Sequence, residues 1–327
     1  MHGLAKELRL GWMALVLAAG AVGQDLPPAS TPPPNLLDSL SMDPARRAAL
    51  ATKIGERNYG AAEELLAEEA KREPKSQPIL LALANVLFLD GKHLNCAVAL
   101  KKAEKIAPLD ERSRLLLGLS YVTIGRLNWA RPEFESLAKS FPRNAVYPYW
   151  LARIAYRKME IDSAIVHAQK AIQLDPAFMK AYDQLGLCYA AEGKSDQAIQ
   201  AFQEAIRLNL QSSAGSPWPA MNLGVLWLRL ERLDEAEAQL RDSIGIDGRF
   251  PAAHYRLGQV LERKERYEEA VRELEQAANL DPTYPEPHYA LARIFRKRGS
   301  AERADRELNA FREVRETDKK KGITRPD

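Results

Sequence analysis

Cysteine is scarce in this chain of 327 residues, which contains only Cys96 and Cys188. Two cysteines are too few for a disulfide-rich secreted scaffold or for a four-ligand zinc site, and no Cys-x-x-Cys occurs. The chain also lacks the His-Glu-x-x-His, Gly-x-Ser-x-Gly, Gly-x-x-x-x-Gly-Lys-Ser/Thr and Gly-x-Gly-x-x-Gly motifs. The sequence therefore predicts neither an enzyme nor a metal or cofactor site.

Charge of either sign is not in excess, since 47 Lys and Arg residues face 44 Asp and Glu residues. Nucleic-acid binders generally have strongly basic faces, so this balance argues against a nucleic-acid partner. The mean hydropathy of −0.36 excludes a polytopic membrane protein. With 46% hydrophobic and 28% charged residues, the composition indicates a folded chain.

One long apolar run stands near the N-terminus, where residues 10–23 carry no charge. This run is shorter than the roughly 20 residues that span a bilayer. Lys6 and Arg9 precede it and small residues end it, as in a secretory signal peptide. We predict a signal peptide over residues 1–23 and an exported protein, periplasmic or secreted, that meets the membrane only during export. An uncleaved anchor is the alternative.

Two further segments lie outside the patterned part of the chain. Residues 24–42 hold five prolines between positions 27 and 34, which favour an extended polyproline conformation and exclude a helix. We predict a Pro-rich linker there. Residues 319–327 begin with three lysines, and we predict a basic tail.

An internal repeat occupies the rest of the sequence. A spacing of 34 residues, with one four-residue extension, gives eight units that cover residues 43–318. The units begin at residues 43, 77, 111, 145, 179, 217, 251 and 285. Because one such unit cannot bury its own apolar face, stacked neighbours must supply the core, and we predict one elongated domain.

Each unit is predicted to form two amphipathic helices joined by a tight turn. Position 7 is leucine and position 8 is glycine or alanine in seven units, and position 20 is small in all eight. Small residues let two helices pack at the usual distance of about 8–10 Å. Proline at position 32 ends the second helix in five units, at Pro74, Pro108, Pro142, Pro176 and Pro282. Four turns carry glycine, at Gly91, Gly125, Gly193 and Gly299.

This pattern resembles the tetratricopeptide repeat family. The unit over residues 179–212 matches it best, with Tyr182, Leu185, Gly186, Tyr189, Ala198, Phe202 and Ala205 at the family positions. The resemblance implies an all-α fold, a right-handed superhelical solenoid of stacked helix-turn-helix repeats. The first unit departs from the pattern, with Ala49-Leu50 in place of Leu-Gly, as expected of a degenerate cap. The extension over residues 210–219 is either a surface loop or a hinge.

Histidine and cysteine are expected to be structural. His254 and His288 occupy position 4 of adjacent units, where the family carries a packing aromatic, and a metal or proton role is the alternative. Cys96 fills the small-residue position of its unit, and Cys188 lies several helices away, so the two are too far apart for a disulfide. We expect both cysteines to be buried hydrophobes.

In the tetratricopeptide repeat architecture the first helix of each unit lines a concave groove. At the groove positions this chain carries aromatic and arginine side chains, which are frequent anchors of protein interfaces. Some of these positions also take part in helix packing. The candidate binding residues are Tyr149, Trp150, Arg153, Tyr156, Trp218, Asn222, Tyr255, Arg256, Gln259, Tyr289 and Arg293.

The predicted function is a non-catalytic interaction scaffold of the cell envelope, which binds a partner protein or an extended acidic peptide in the groove. The alternative is a structural subunit of a secretion, export or cell-surface assembly complex. A co-chaperone function lacks support, because the chaperone-tail clamp of some family members needs Lys at position 5 before Asn at position 9, and here Leu81 precedes Asn85. No small-molecule cofactor and no nucleic acid is expected.

Overall fold

The computed structural model describes residues 37, 39–212 and 215–320, which form sixteen α-helices and no strand. These residues fall into two compact units that divide between Glu160 and Ile161. We call the described residues up to 160 the first unit and those from 161 the second unit. The prediction was a single domain. In a repeat array each element packs only on its neighbours, so a long array has no single core.

Seven helices form the described part of the first unit: α1 (Pro44–Gly55), α2 (Tyr59–Arg72), α3 (Gln77–Leu89), α4 (His93–Glu104), α5 (Glu111–Thr123), α6 (Leu127–Ser140) and α7 (Val146–Arg157). The odd-numbered helices are the first helices of the predicted repeats, which we call A helices. The even-numbered ones are the B helices.

Nine helices form the described part of the second unit: α8 (Ile161–Leu174), α9 (Met179–Glu192), α10 (Ser195–Asn209), α11 (Trp218–Arg229), α12 (Leu233–Ile246), α13 (Pro251–Arg263), α14 (Tyr267–Leu280), α15 (Pro285–Lys297) and α16 (Ala301–Lys320). None of the sixteen described helices is both long enough and apolar enough to cross a bilayer.

Polar caps and prolines set the helix ends. Asp43 caps α1, because its carboxylate accepts hydrogen bonds from the backbone N–H groups of Ala45 at 2.9 Å and Arg46 at 3.2 Å. Asp110 caps α5 through Ser113 N at 2.8 Å. The five prolines at position 32 lie between helices in every case, as predicted.

The turn inside every repeat has a left-handed residue at position 15. Gly91, Gly125, Gly193 and Gly299 have φ between 73° and 78°, which confirms the predicted turn glycines. The other four repeats place a larger residue in the same conformation, with φ between 57° and 61°: Arg57, Met159, Glu231 and Glu265. The turn geometry is therefore uniform even where glycine is absent.

The small residues of the pattern lie where the two helices of a repeat meet. All eight residues at position 20, seven alanines and Cys96, are 0% exposed. A side chain added at position 8 would collide with position 24 of the same repeat: a Cβ on Gly118 would lie 2.8 Å from Phe134, on Gly186 2.6 Å from Phe202, on Gly224 2.7 Å from Leu240 and on Gly258 2.6 Å from Leu274. Glycine thus permits the close approach of the A and B helices.

Both ends of the repeat region extend beyond the predicted bounds. Leu40 and Met42, predicted as linker, are buried against α1 to α3, and Arg47 Nη2 donates to the Leu40 carbonyl at 2.8 Å. The apolar side chains of this segment cover the first repeat, which explains why it folds. Helix α16 continues through Lys320, so Lys319 and Lys320 are helical rather than part of the tail. The signal peptide and most of the linker lie outside the described residues.

The extension between α10 and α11 is held at both ends. Asn209 Nδ2 donates to the Ser216 carbonyl at 2.8 Å, and Ser216 N donates to Asn209 Oδ1 at 2.8 Å. The buried Ser243 hydroxyl donates to the Pro217 carbonyl at 2.8 Å. These bonds tie the extension to the helices on either side, which favours a surface loop over a hinge.

Candidate functional site

Four of the predicted groove residues lie on α7 and are buried. Trp150 is 1% exposed, and its ring stacks on Phe134 with 5.7 Å between centroids. The guanidinium of Arg153 lies 4.6 Å from the Trp150 centroid and 5.7 Å from that of Tyr149, and Tyr156 is also buried. The prediction that these side chains line an open groove is corrected, because enclosed rings serve helix packing instead.

Two further candidates lie on α11 in the second unit. Asn222 is 3% exposed, and its Nδ2 donates to both carboxylate oxygens of Asp183 at 2.9 and 3.1 Å. Trp218 is half-buried and meets the ring of Phe250 edge-on at 4.8 Å. Asn222 thus links the A helices of repeats 5 and 6. Trp218 is the first residue of α11, and it contacts Phe250, which directly precedes the A helix of repeat 7.

Three candidates form one hydrogen-bonded chain on α13. Arg256 Nη1 donates to Gln259 Oε1 at 2.9 Å, and Gln259 Nε2 donates to the Tyr255 hydroxyl at 2.8 Å. Tyr255 is buried, meets Tyr284 edge-on at 5.3 Å, and has its pKa raised by that burial. Arg256 and Gln259 are half-buried. The buried tyrosine orients two polar side chains that water and a ligand can reach.

The last two candidates lie on α15 and are exposed. Arg293 Nε and Nη2 donate to the two carboxylate oxygens of Glu262 at 2.8 and 2.5 Å. Tyr289 is 51% exposed and packs on Phe311 at 5.5 Å. An open cavity of about 210 Å³ is lined by Tyr289, Ala292, Arg293, Arg296, Lys297 and Leu308.

Several buried side-chain polar atoms of the second unit have no hydrogen-bond partner among the described residues. Gln239 Oε1, Tyr284 Oη and Glu286 Oε2 are among them, and so are Asn222 Oδ1 and Arg256 Nε. Asn222 and Arg256 occupy position 6 of their repeats, on α11 and α13, and these two helices are in contact. Buried polar groups in folded proteins are nearly always paired, so an unpaired acceptor and an unpaired donor on one face need an explanation.

The sequence-based reasoning missed the carboxylates that hold this face together. Glu262 binds Arg293, 31 residues further on, and Asp183 binds Asn222, 39 residues further on. These pairs could have been found by searching the sequence for an acidic residue that lies about one repeat before an arginine or an amide residue. Because each pair joins neighbouring A helices, the polar face is positioned by the stacking of repeats.

The histidines have the structural role that was predicted, with carboxylate partners that were not. His254 Nδ1 lies 2.7 Å from Glu273 Oε2, its Nε2 lies 3.1 Å from the Gly248 carbonyl, and His288 Nδ1 lies 2.7 Å from Glu307 Oε2. Burial acts to lower the pKa of His254, but the bonds to Glu273 and Gly248 outweigh it and raise the pKa.

The cysteines are free and buried, as expected. Burial raises the pKa of Cys96 and of Cys188 to about 12, so neither is a reactive thiolate at neutral pH. Ser120 Oγ lies 3.3 Å from Cys96 Sγ. Within the part of the chain that the structure describes, no three His, Cys, Asp or Glu residues are grouped as metal ligands.

Comparison with known proteins gives consistent results. Models of the tetratricopeptide repeat match residues 115–177 and 179–212, and a TPR repeat model matches residues 263–299. The small glutamine-rich tetratricopeptide repeat-containing protein 2 of Saccharomyces cerevisiae is 30% identical over 74 residues, which are 23% of this chain and 21% of that protein. The chain therefore spans about a fifth of the length of this relative.

Two solved structures share the fold. The crystal structure of the APC/C hetero-tetramer Cut9–Hcn1 has a TM-score of 0.54 at 23% identity, covering 78% of this chain and 49% of that one. The Pseudomonas aeruginosa pilF structure has a TM-score of 0.54 at 18% identity, covering 60% of this chain and 88% of that one. The repeat models, the helix pairs and these structures agree, and this chain is a tetratricopeptide repeat protein, a family of protein-interaction scaffolds that is generally non-catalytic.

Proposed function

We propose that the A-helix face of the second unit binds an extended peptide segment of a protein partner. The observation that carries the proposal is the pair of unpartnered buried atoms at position 6, Asn222 Oδ1 and Arg256 Nε. One is an acceptor and the other is a donor. An extended peptide presents backbone N–H and C=O groups alternately, so it can satisfy both atoms at once.

The charge of this face favours an acidic segment. Helices α11, α13 and α15 carry six basic residues against two acidic ones. Arg293 pairs with Glu262, Arg263 with Glu231 and Arg296 with Asp305, whereas Arg256 has no ion pair among the described residues. The exposed Tyr289 supplies an aromatic anchor at the end of the face. A peptide that carries Asp or Glu residues beside an apolar side chain fits this arrangement.

The test is selection of binders from a phage-displayed library of random dodecapeptides on the full chain. Affinities of the enriched peptides are then measured for the wild type, Asn222→Ala and Arg256→Met, with Arg207→Met as the matched control. Arg207 lies on B helix α10, where it pairs only with Glu204 among the described residues. We expect each position 6 variant to weaken binding by about 10-fold, as loss of one charge-assisted or buried hydrogen bond does.

The proposal fails if the enriched peptides bind both position 6 variants as tightly as they bind the wild type. It also fails if the Arg207→Met control weakens binding as much as Arg256→Met does. Because Asn222 is buried, the helical circular dichroism of Asn222→Ala is checked first. Arg256 is half-buried and tests the same face with less risk to folding.

We further propose that the chain acts without catalysis and in the cell envelope. The support for export is the uncharged run of residues 10–23 after Lys6 and Arg9. The expected result is a mature protein that begins at Gln24, recovered from the periplasm or the medium and read by N-terminal sequencing. An intact Met1 on a cytoplasmic protein would contradict export and would leave the peptide-binding proposal unaffected.

A further inference from the structure

A second exposed surface lies on the turn side of the first unit, away from the A-helix positions. Trp129 at the start of α6 is 52% exposed, and its ring meets buried Tyr121 edge-on at 5.5 Å. The guanidinium of Arg126 lies 5.3 Å from the Trp129 centroid. An open cavity of about 330 Å³ is lined by Gly125, Arg126, Leu127, Asn128, Trp129 and Lys158. We call these six residues the turn-edge site.

At the turn-edge site, Tyr121 holds the ring of Trp129 in a fixed position. Because Trp129 packs on a buried ring, it is fixed before any ligand arrives. Large exposed aromatic and arginine side chains supply most of the binding energy in many protein interfaces, since they bury much area with few rotatable bonds. Helix packing does not require Trp129, because about half of its surface faces solvent.

Comparison with other repeats identifies what Arg126 lacks. Arg126 occupies position 16, and two of the four other repeats with a basic residue there hold it against a carboxylate 29 residues earlier: Lys92 with Glu63 at 2.6 Å and Arg266 with Glu237 at 2.7 Å. Lys194 and Arg232, in the other two, have Ile165 and Gln203 at that distance. The residue 29 positions before Arg126 is Ala97. Among the described residues, no carboxylate pairs with Arg126. The place that a carboxylate fills beside Lys92 and Arg266 is therefore open to an acidic group from another chain.

The surroundings of the turn-edge site add positive charge and a backbone acceptor. Lys158 and Arg131 both pair with Glu160, so these three groups with Arg126 comprise three cations and one anion. Pro132 has no N–H, so the Asn128 carbonyl lacks its usual α-helical donor four residues on. That carbonyl can accept a hydrogen bond from a peptide N–H.

We propose that the turn-edge site is a docking site for an acidic peptide segment of a protein partner. A carboxylate of the segment pairs with Arg126, and the adjacent apolar side chain lies on Trp129. Lys158 adds long-range attraction. Charge complementarity and the missing carboxylate at Ala97 select an acidic occupant over a basic or neutral one. This site is separate from the A-helix face of the second unit and does not depend on the function proposed for that face.

The experiment selects dodecapeptides from the random phage library on a full chain that carries Asn222→Ala and Arg256→Met, so that the A-helix face is disabled. Affinities are measured by fluorescence polarisation for this parent and for parents that also carry Trp129→Ala, Arg126→Gln or the control Arg207→Gln. We expect enrichment of peptides with Asp or Glu next to an apolar residue. We also expect about 10-fold weaker binding with Trp129→Ala and with Arg126→Gln, and none of this loss with the control.

The proposal is overturned if no peptide is enriched, if the enriched peptides lack acidic residues, or if either Trp129→Ala or Arg126→Gln leaves their affinity unchanged. Both residues are exposed, so unaltered helical circular dichroism is expected for each variant. A second measurement changes Glu to Gln in the peptide itself. Binding that survives this change, or that does not weaken as salt is raised, also contradicts a carboxylate contact.

Discussion

Position 6 of the A helices changes from apolar in repeats 2 to 4 to polar in repeats 5 to 7, and is again a buried alanine, Ala290, in repeat 8. In repeats 2 to 4, within the first unit, it is apolar and buried, at Ala82, Leu116 and Trp150. In repeats 5 to 7 it is polar, at Gln184, Asn222 and Arg256. The same place in the repeat therefore serves packing in the first unit. In repeats 6 and 7 of the second unit it leaves hydrogen-bonding atoms unpaired.

The difference shows how a repeat array separates stability from recognition. Each repeat contacts only its neighbours, so a stretch of repeats can keep polar groups on its A-helix face while another stretch fills the same positions with apolar side chains. The second unit joins the A helices α13 and α15 by the ion pair Arg293–Glu262, which leaves the face polar. The first unit has its exposed anchor, Trp129, on the turn side instead.

The largest expected effect is loss of the packing at position 6 in the first unit. Trp150→Ala removes a ring that is 1% exposed and stacked on Phe134, and we expect it to cost about 3–5 kcal/mol. Trp129→Ala is the matched control, because that ring is half exposed and its loss should cost no more than about 1 kcal/mol. Urea unfolding, followed by hydrogen exchange resolved along the sequence, measures both. Equal costs would contradict the assignment of Trp150 to the core.

A smaller effect is expected where the helices of one repeat meet. A Cβ at Gly186 would lie 2.6 Å from two ring carbons of Phe202, whereas at Gly118 it would lie 2.8 Å from the outer edge of Phe134. We expect Gly186→Ala to cost about 1–3 kcal/mol and Gly118→Ala to cost less, because an outer ring edge moves aside more easily.

Gly245 is the control for both glycine substitutions. It lies in α12 with nothing within 4 Å of its added Cβ, so Gly245→Ala should stabilise the chain by up to about 1 kcal/mol through helix propensity. Thermal unfolding of the three variants gives the comparison. Destabilisation by Gly245→Ala, or none by Gly186→Ala, would show that close approach at position 8 is not the constraint.

The fold could be predicted from the sequence because the same residue types recur at the same packing positions in successive repeats. The residue at position 20 is small and fully buried in all eight repeats. Four turn glycines have the positive φ that the turn requires. No single residue had to carry the prediction. The sequence did not predict the left-handed conformation of Arg57, Met159, Glu231 and Glu265. These residue types do not favour a positive φ, and the turn between the two helices imposes it.

The site was less predictable because aromatic side chains at the A-helix positions serve packing and binding equally well. Trp150 and Tyr289 have similar places in their repeats, yet one is buried and the other is half exposed. What decides is the surrounding side chains, such as Phe134, which come from another helix. The ion pairs and the unpartnered atoms of Asn222 and Arg256 likewise depend on which residues the stacking brings together.

A further prediction concerns a substitution that gives position 6 of repeat 6 an apolar side chain, as in repeats 2 to 4 of the first unit. Asn222→Leu replaces a buried amide, whose oxygen is unpaired, by an apolar side chain like that of Leu116. Because the change removes an unsatisfied polar atom along with the bonds to Asp183, we expect the stability to change by no more than about 1 kcal/mol. Affinity for peptides selected on the A-helix face should nevertheless be lost. A variant that keeps binding would assign recognition elsewhere.

The smallest expected effect is a pH dependence that arises in the second unit, with a sign opposite to that expected from His93 of the first unit, whose pKa is lowered by burial. Arg114 and Glu133 in repeat 3 form the pair that His254 and Glu273 form in repeat 7, at 2.8 and 2.7 Å. Arginine stays charged at any working pH, whereas the pKa of His254 is raised by its bonds to Glu273 and the Gly248 carbonyl despite opposing burial. The native state therefore prefers protonated His254 more strongly than the unfolded state does.

The contribution of protonated His254 to the free energy of unfolding is therefore fully present below the ordinary histidine pKa of about 6.5. It is lost as the pH rises through the raised pKa of the native state. Urea midpoints of the wild type should fall over that interval, and those of His254→Arg, which copies the repeat 3 pair, should fall less. Asp247 also lies near enough to favour the charged ring and stays unchanged in the variant. If the two proteins lose stability in parallel from pH 6 to 8, the His254–Glu273 pair is not the source, and repeats 3 and 7 are held equally well at every pH.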